Sequence, residues 1–148
     1  MGLWNLLSMS IGFVFIIPFM LYYVTGNPIH FRAFLGVAGT AIISETIKVF
    51  FVGRNSPRPK GAKDCDLLCI DGNQEGRPGM PSSHSAEVAF FSGFYLQQTT
   101  NPVIRSILVI YAILVMASRY FKRCHTISQI SVGTILGLSL SWIVVRHL

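Results

Sequence analysis

Along this chain the charged positions are bunched and the apolar ones run on. No Asp, Glu, Lys or Arg occurs within residues 1–31, 88–104, 106–118 or 124–145. A helix that crosses a bilayer needs about 20 mainly apolar residues, since each rises 1.5 Å and the hydrocarbon is about 30 Å thick. Five stretches are candidates: roughly 3–24, 33–53, 83–99, 103–121 and 126–145. Their Val, Ile and Phe content would also suit buried strands, but runs this long favour helices. The pattern predicts an all-α, polytopic membrane helix bundle of about five transmembrane helices, in a single domain over 1–148. The first stretch has no Lys or Arg ahead of it, unlike a cleaved signal, and reads as retained.

Composition sharpens this reading. Hydrophobic residues make up 51% and charged residues 12%, against about 25% charged in a soluble domain. That excludes an ordinary cytosolic globule and a disordered tail. Twelve Lys and Arg against six Asp and Glu give a net charge of +6. In a soluble protein such a balance suggests nucleic acid. In so apolar a chain it points to anionic head groups or phosphates, with no nucleic acid partner.

Five crossings place the loop 54–82 and the turn 122–125 on one face, where the pocket is expected. The segments 25–32, 97–102 and Arg146-His147-Leu148 fall on the other. The loop 54–82 is well beyond the roughly 12–15 residues above which an unstructured connection is usually functional or disordered.

Three polar clusters share the first face. Glu45 and Lys48 lie late in the second helix, spaced i,i+3 for an ion pair. Ionisable groups inside membrane helices are costly and functional by default, although the pair also reads as self-neutralising, or Lys48 as reaching to the interface. Gly53-Arg54-Asn55-Ser56-Pro57-Arg58-Pro59 follows. Its prolines should end the helix, so Arg54 and Arg58 emerge at the interface with donor forks suited to phosphate or lipid head groups. The second cluster is Gly79-Met80-Pro81-Ser82-Ser83-His84-Ser85. Ser82 or Ser83 can cap the third helix, whose free N–H groups suit an anion beside His84. The bland reading is a serine cap with an interfacial histidine. The third cluster joins Ser118-Arg119, at the end of the fourth helix, to His125 and Gln129 at the start of the fifth. Gln129 is i+4 from His125, and its carbonyl can fix the imidazole tautomer. Lys122 and Arg123 read as interfacial anchors.

Two histidines, several arginines and a lysine thus converge on one interfacial pocket, with no obvious carboxylate. The fitting ligand is a phosphate ester or diphosphate whose apolar tail lies in the bilayer. One histidine attacks phosphorus and the other protonates the leaving oxygen, while cations neutralise the equatorial oxygens. No metal and no cofactor is required. Asp64-Cys65-Asp66 and Cys69 have no recognisable metal-ligand spacing, and a Cys65–Cys69 pairing is left open.

These motifs resemble those of the type 2 phosphatidic-acid phosphatase superfamily, the histidine lipid phosphatases related to vanadium haloperoxidases. Its pattern is Lys, six residues, Arg-Pro; Pro-Ser-Gly-His; then Ser-Arg, five residues, His, three residues, Asp. Ser118-Arg119 and His125 match in type and spacing, and Pro81-Ser82-Ser83-His84 matches with Ser83 for Gly. The resemblance covers 48–137. Two departures stand out. Nine residues separate Lys48 from Arg58-Pro59, while Arg54 is nearer the expected place but lacks the proline. Gln129 replaces Asp, which resembles the dolichyldiphosphatase branch.

The resemblance implies roles for these residues. His125 is the nucleophile, His84 the general acid, and Gln129 orients His125. Lys48, Arg58 and Arg119 hold phosphate oxygens, helped by Ser82 and Ser83, with Arg54 as the alternative to Arg58. It implies metal-independent hydrolysis of a lipid phosphate, by branch a dolichyl (polyprenyl) diphosphate, in the endoplasmic reticulum membrane with a lumenal pocket. Phosphatidic acid or another phospholipid is the alternative substrate, and a non-catalytic lipid-phosphate-binding protein the alternative of another class. The excess of Lys and Arg on the pocket face instead predicts a cytoplasmic pocket. Oligomeric state is left open.

Overall fold

The computed structural model describes residues 2–148. Its elements are helices and turns, and among the described residues there is no strand beyond two isolated bridges, Pro57 with Pro78 and Lys63 with Asn73. The first span runs as α1 (Leu3–Met9), a tight turn at Ser10–Gly12 and α2 (Phe13–Thr25). It is followed by α3 (Pro28–Thr46), α4 (Ser83–Leu96), α5 (Pro102–Phe121) and α6 (Ile127–His147).

Local chemistry explains where the helices start. Asn27 and Asn101 each accept from backbone N–H groups just ahead, with proline in the first turn of α3 and α5. Thr126 and Gln129 form a reciprocal capping box on α6. Beyond Thr46 the second span widens into a π turn, Ile47–Val52, then tightens through Gly53–Asn55 before Pro57. Such widened turns often occur at functional sites. This one carries Lys48, which is buried.

Among the described residues, four helical stretches are long and apolar enough to cross a membrane: Leu3–Thr25, Pro28–Asn55, Pro102–Phe121 and Ile127–His147. Their outward faces carry exposed Phe13, Ile16, Phe19, Ile110, Ile135 and Leu138, as lipid contact requires. The expected third span differs. α4 has 14 residues, about 21 Å of helix, too short for the hydrocarbon. Instead it forms the axis of the bundle, packed by α3, α5 and α6, and nearly its whole length is buried. A helix walled in by protein need not be uniformly apolar, which is why it can carry Ser83, Ser85, Glu87 and Ser92. The chain still passes the bundle five times.

Small residues bring α4 and α6 together. A Cβ on Gly133 would stand 2.4 Å from the Ser82 carbonyl oxygen, and one on Gly137 2.1 Å from that of Ala86, so only glycine permits this approach. Elsewhere in the bundle, α2 packs on α3 and α1 on α5.

The loop 54–82 is ordered and caps one end of the bundle. Arg58 N–H donates to Arg77 O (2.7 Å), Gly79 N–H to Ser56 O (2.9 Å) and Gln74 N–H to Ala62 O (2.9 Å). A disulfide joins Cys65 to Cys124, while Cys69 is free. The Cys65–Cys69 pairing left open by the sequence is therefore replaced by one across 59 positions, which ties the loop to the α5–α6 turn.

Candidate active site

His125 is placed by the way α5 ends. The N–H groups of Cys124 and His125 both donate to Arg119 O (3.0 and 3.2 Å), and Arg123 adopts a left-handed conformation with φ 57°. The chain thus doubles back, and His125 falls just before the α6 cap. It is 2% exposed. Its Nδ1 faces two acceptors, Gly79 O at 2.9 Å and Gln129 Oε1 at 3.3 Å. Nδ1 therefore carries the proton, and Nε2 keeps its lone pair. An Arg58 N–H donates to that Nε2 at 3.2 Å. Burial, and next the positive charges of Arg58, Arg119 and Lys48, hold the imidazole well below the usual histidine range. It is neutral at pH 7, the form in which Nε2 can attack.

Gln129 does more than face His125. Its Oε1 also accepts from Thr126 N–H (3.2 Å), while its Nε2 donates to Pro57 O (2.8 Å) and to Ser56 Oγ (3.1 Å). One amide thus caps α6, holds His125 and anchors the start of the loop 54–82. Aspartate has no N–H to give the Pro57 carbonyl, so the amide has a physical reason here.

The first cluster divides. Arg58 reaches the site, donating to Cys124 O (3.3 Å) as well as His125. Burial pushes it below the usual arginine range, offset by Asp71 and Glu45. Arg54 is exposed in the turn Gly53–Asn55 and does not line the cavity. Lys48 Nζ donates to Glu45 Oε1 (2.6 Å) and to Ser83 Oγ (2.7 Å), and the Ser83 hydroxyl donates to the same carboxylate oxygen.

In the second cluster Ser82 is the α4 N-cap but makes no side-chain cap. Its hydroxyl accepts from Ser85 (2.9 Å), and its N–H donates to Gln129 O (3.1 Å). The serine expected to cap with its side chain is instead held against α6, which leaves the first-turn N–H groups of α4 without a side-chain partner. His84 lies in that first turn.

These groups surround a cavity of about 390 Å³, lined by Lys48, Arg58, Ser83, His84 and His125, with Ile11, Phe15 and Leu67 on its apolar side. Nε2 of His84 and Nε of Arg58 are buried with no partner among the described residues. Unpaired buried polar groups are costly and rare, and here they line a cavity large enough for a phosphate group. Arg119 is set back. It is fully buried, its guanidinium donating to Ser8 Oγ and Cys65 O, and it braces the cavity from outside its lining.

The structure corrects one expectation. The pocket is not free of carboxylates, because Glu45, Asp66, Asp71 and Glu87 also line it. Glu87 follows His84 by one helical turn and was legible as an ionisable group at the edge of an apolar run. Asp66, Asp71, Ser8 and the Gly79 carbonyl gave no sequence signal, because loop folding alone brings them here. Among the described residues, no group of three or more His, Cys, Asp or Glu side chains is arranged to hold a metal ion.

A family model described as the PAP2 superfamily matches residues 30–148, a stretch that contains all three clusters. No curated protein and no solved structure gives a match.

Proposed function

The chain belongs to the PAP2 superfamily, and from that premise we propose that it is a metal-independent lipid phosphatase working through a phosphohistidine on His125. Members of the superfamily are phosphatases, and a membrane-embedded member acts on lipid substrates in the bilayer. The observation that carries the assignment is the state of His125. Its Nδ1–H is held by Gly79 O, and its Nε2 lone pair stands beside Arg58 in a cavity shared with His84.

Nε2 attacks phosphorus and the bond to the leaving oxygen breaks. Burial, and next the charge of Arg119, hold His84 well below the usual histidine range. The negative charge of a bound phosphate lets its imidazole take up a proton. That proton goes to the leaving oxygen, so the polyprenyl monophosphate departs without an added charge. Lys48 and Arg58 take equatorial oxygens of the transition state, with Ser83 and the uncapped start of α4 beside them. Arg119 and Ser82 support this set from behind the cavity wall. Water, deprotonated by His84, then attacks the phosphohistidine and releases orthophosphate. Gln129, together with Gly79 O, keeps His125 in the attacking tautomer.

For the substrate we favour a polyprenyl (dolichyl) diphosphate, trimmed to the monophosphate. The sequences Gly-Met-Pro-Ser-Ser-His-Ser and His-Thr-x-x-Gln support it, as does the apolar wall of Ile11, Phe15 and Leu67. Phosphatidic acid is the competing substrate. For location we favour the endoplasmic reticulum membrane with a lumenal pocket, because the Cys65–Cys124 disulfide suits an oxidising compartment. A second reading, a lipid-phosphate binder without catalysis, draws on the Arg58 N–H that covers His125 Nε2.

Purified protein in detergent is expected to release orthophosphate from a polyprenyl diphosphate in the presence of a chelator, faster than from phosphatidic acid. His125→Ala is expected to lose at least roughly a thousandfold. Orthophosphate binding without turnover would favour the binder, and abolition by chelator would end the metal-independent mechanism.

A further inference from the structure

Two kinds of anion-binding donor meet in this cavity. Arg58 Nε and His84 Nε2 have no partner among the described residues. Lys48 Nζ and the Ser83 hydroxyl do, and it is the same one: both converge on Oε1 of Glu45. A phosphoryl oxygen bound at this site would ask for the same two donors.

Resting on the phosphatase reading above, we propose that the Glu45 carboxylate is a built-in stand-in for a phosphate oxygen, which the substrate must displace from Lys48 and Ser83. The two partners differ in freedom. The Lys48 side chain is 6% exposed and that of Glu45 54%. Lys48 is therefore fixed by its surroundings, while the Glu45 carboxylate, which lines the cavity, has room to leave the contact when an anion of higher charge arrives. A carboxylate and a phosphate cannot comfortably share one ammonium, since like charges at that separation repel. Binding is thus an exchange of anions, with the ammonium satisfied before and after.

This exchange discriminates by charge. A terminal phosphate of a monoester or diphosphate brings up to two negative charges and outcompetes a single carboxylate. A phosphodiester head group brings one, spread over two oxygens and shielded by its substituents, and gains little by displacing Glu45. The contact thereby selects terminal phosphates against the phosphodiesters that dominate a bilayer. On the product side, the returning carboxylate helps to expel orthophosphate.

The test compares wild type with Glu45→Gln in detergent by titration with orthophosphate, together with KM and kcat on a polyprenyl diphosphate. Removing the competing charge is expected to tighten orthophosphate binding roughly tenfold. Product inhibition deepens to match, and KM falls by more than kcat changes. Orthophosphate binding that is unchanged or weaker in Glu45→Gln overturns the proposal and makes Glu45 a clamp that holds Lys48 in place. Should Glu45→Gln not fold, Glu45→Asp, whose carboxylate is drawn back by one methylene, is expected to bind orthophosphate more tightly than wild type, with the same criterion. The titration does not need turnover. If no lipid phosphate is hydrolysed, the catalytic reading fails while the exchange is still decided by binding.

Discussion

On the His125 side of the cavity the polar groups are held by backbone or by buried partners. Gly79 O and Gln129 fix the imidazole, Gln129 is itself pinned by Pro57 O and Thr126 N–H, and the Cys65–Cys124 disulfide ties the loop beside it. On the Glu45 side the wall is half open. Glu45 is exposed, and Ile11, Phe15 and Leu67 come from the interrupted first span and the loop tip. The contrast separates two jobs. Attack on phosphorus needs reacting atoms placed to within a fraction of an ångström. Entry of a lipid needs side chains that can yield. The first wall is built on the glycine-mediated α4–α6 contact, the second on the looser α1–α3 side.

If the rigid wall carries the chemistry, its variants should lower kcat. After the loss already expected for His125→Ala, the largest effect is expected at Arg58. Arg58→Ala removes a donor to the developing charge and should cost roughly 10²–10³ in kcat, while Arg54→Ala, on the exposed turn, should cost far less. Equal small losses in steady-state rates on a polyprenyl diphosphate would remove Arg58 from the site. Next comes Gln129→Leu, which leaves Gly79 O as the single acceptor on His125 Nδ1 and releases Pro57. A fall in kcat of roughly 10–10² is expected with little change in KM, and a change confined to KM would mean that Gln129 serves the loop alone.

The yielding wall should answer in KM. Phe15→Ala is expected to raise KM for a lipid substrate roughly three- to tenfold, the worth of a partial hydrophobic contact, and to leave orthophosphate affinity alone. A large fall in kcat would break the division between the walls. The smallest effect concerns pH. Because burial and Arg58 lower the His125 pKa, its neutral form survives to lower pH than an ordinary histidine. The acid limb of kcat/KM assigned to His125 is therefore expected below about pH 6.5. A limb at or above that value would show that the imidazole is solvated.

Much of the bundle was legible beforehand, because its determinants are short-range. Four of the five apolar stretches are helices of spanning length, and Asn27-Pro28, Asn101-Pro102 and Thr126 cap where such residues cap. The remaining stretch, α4, is shorter than its apolar run suggests, because such a run does not distinguish a lipid-facing helix from one enclosed by protein. In the site, the facing of Gln129 and His125 follows from i,i+4 spacing within one turn. Of the carboxylates lining the cavity, Glu45 belongs to the first polar cluster, while Asp66 and Asp71 are brought there by the loop 54–82 and carry no local signal.

The sequence by itself determined a membrane helix bundle with its polar clusters at one end, because charge-free length and helical periodicity are properties of contiguous residues. The tertiary structure alone decided that Arg58 and not Arg54 meets His125, and that Cys65 pairs with Cys124. It also set Arg119 behind the cavity and brought Ser83 to the Glu45–Lys48 pair that i,i+3 spacing allows. Most of these outcomes depend on the path of the loop 54–82. That path is set by hydrogen bonds such as Arg58 N–H to Arg77 O and Gln129 to Pro57 O, between residues far apart along the chain, which no local pattern can encode.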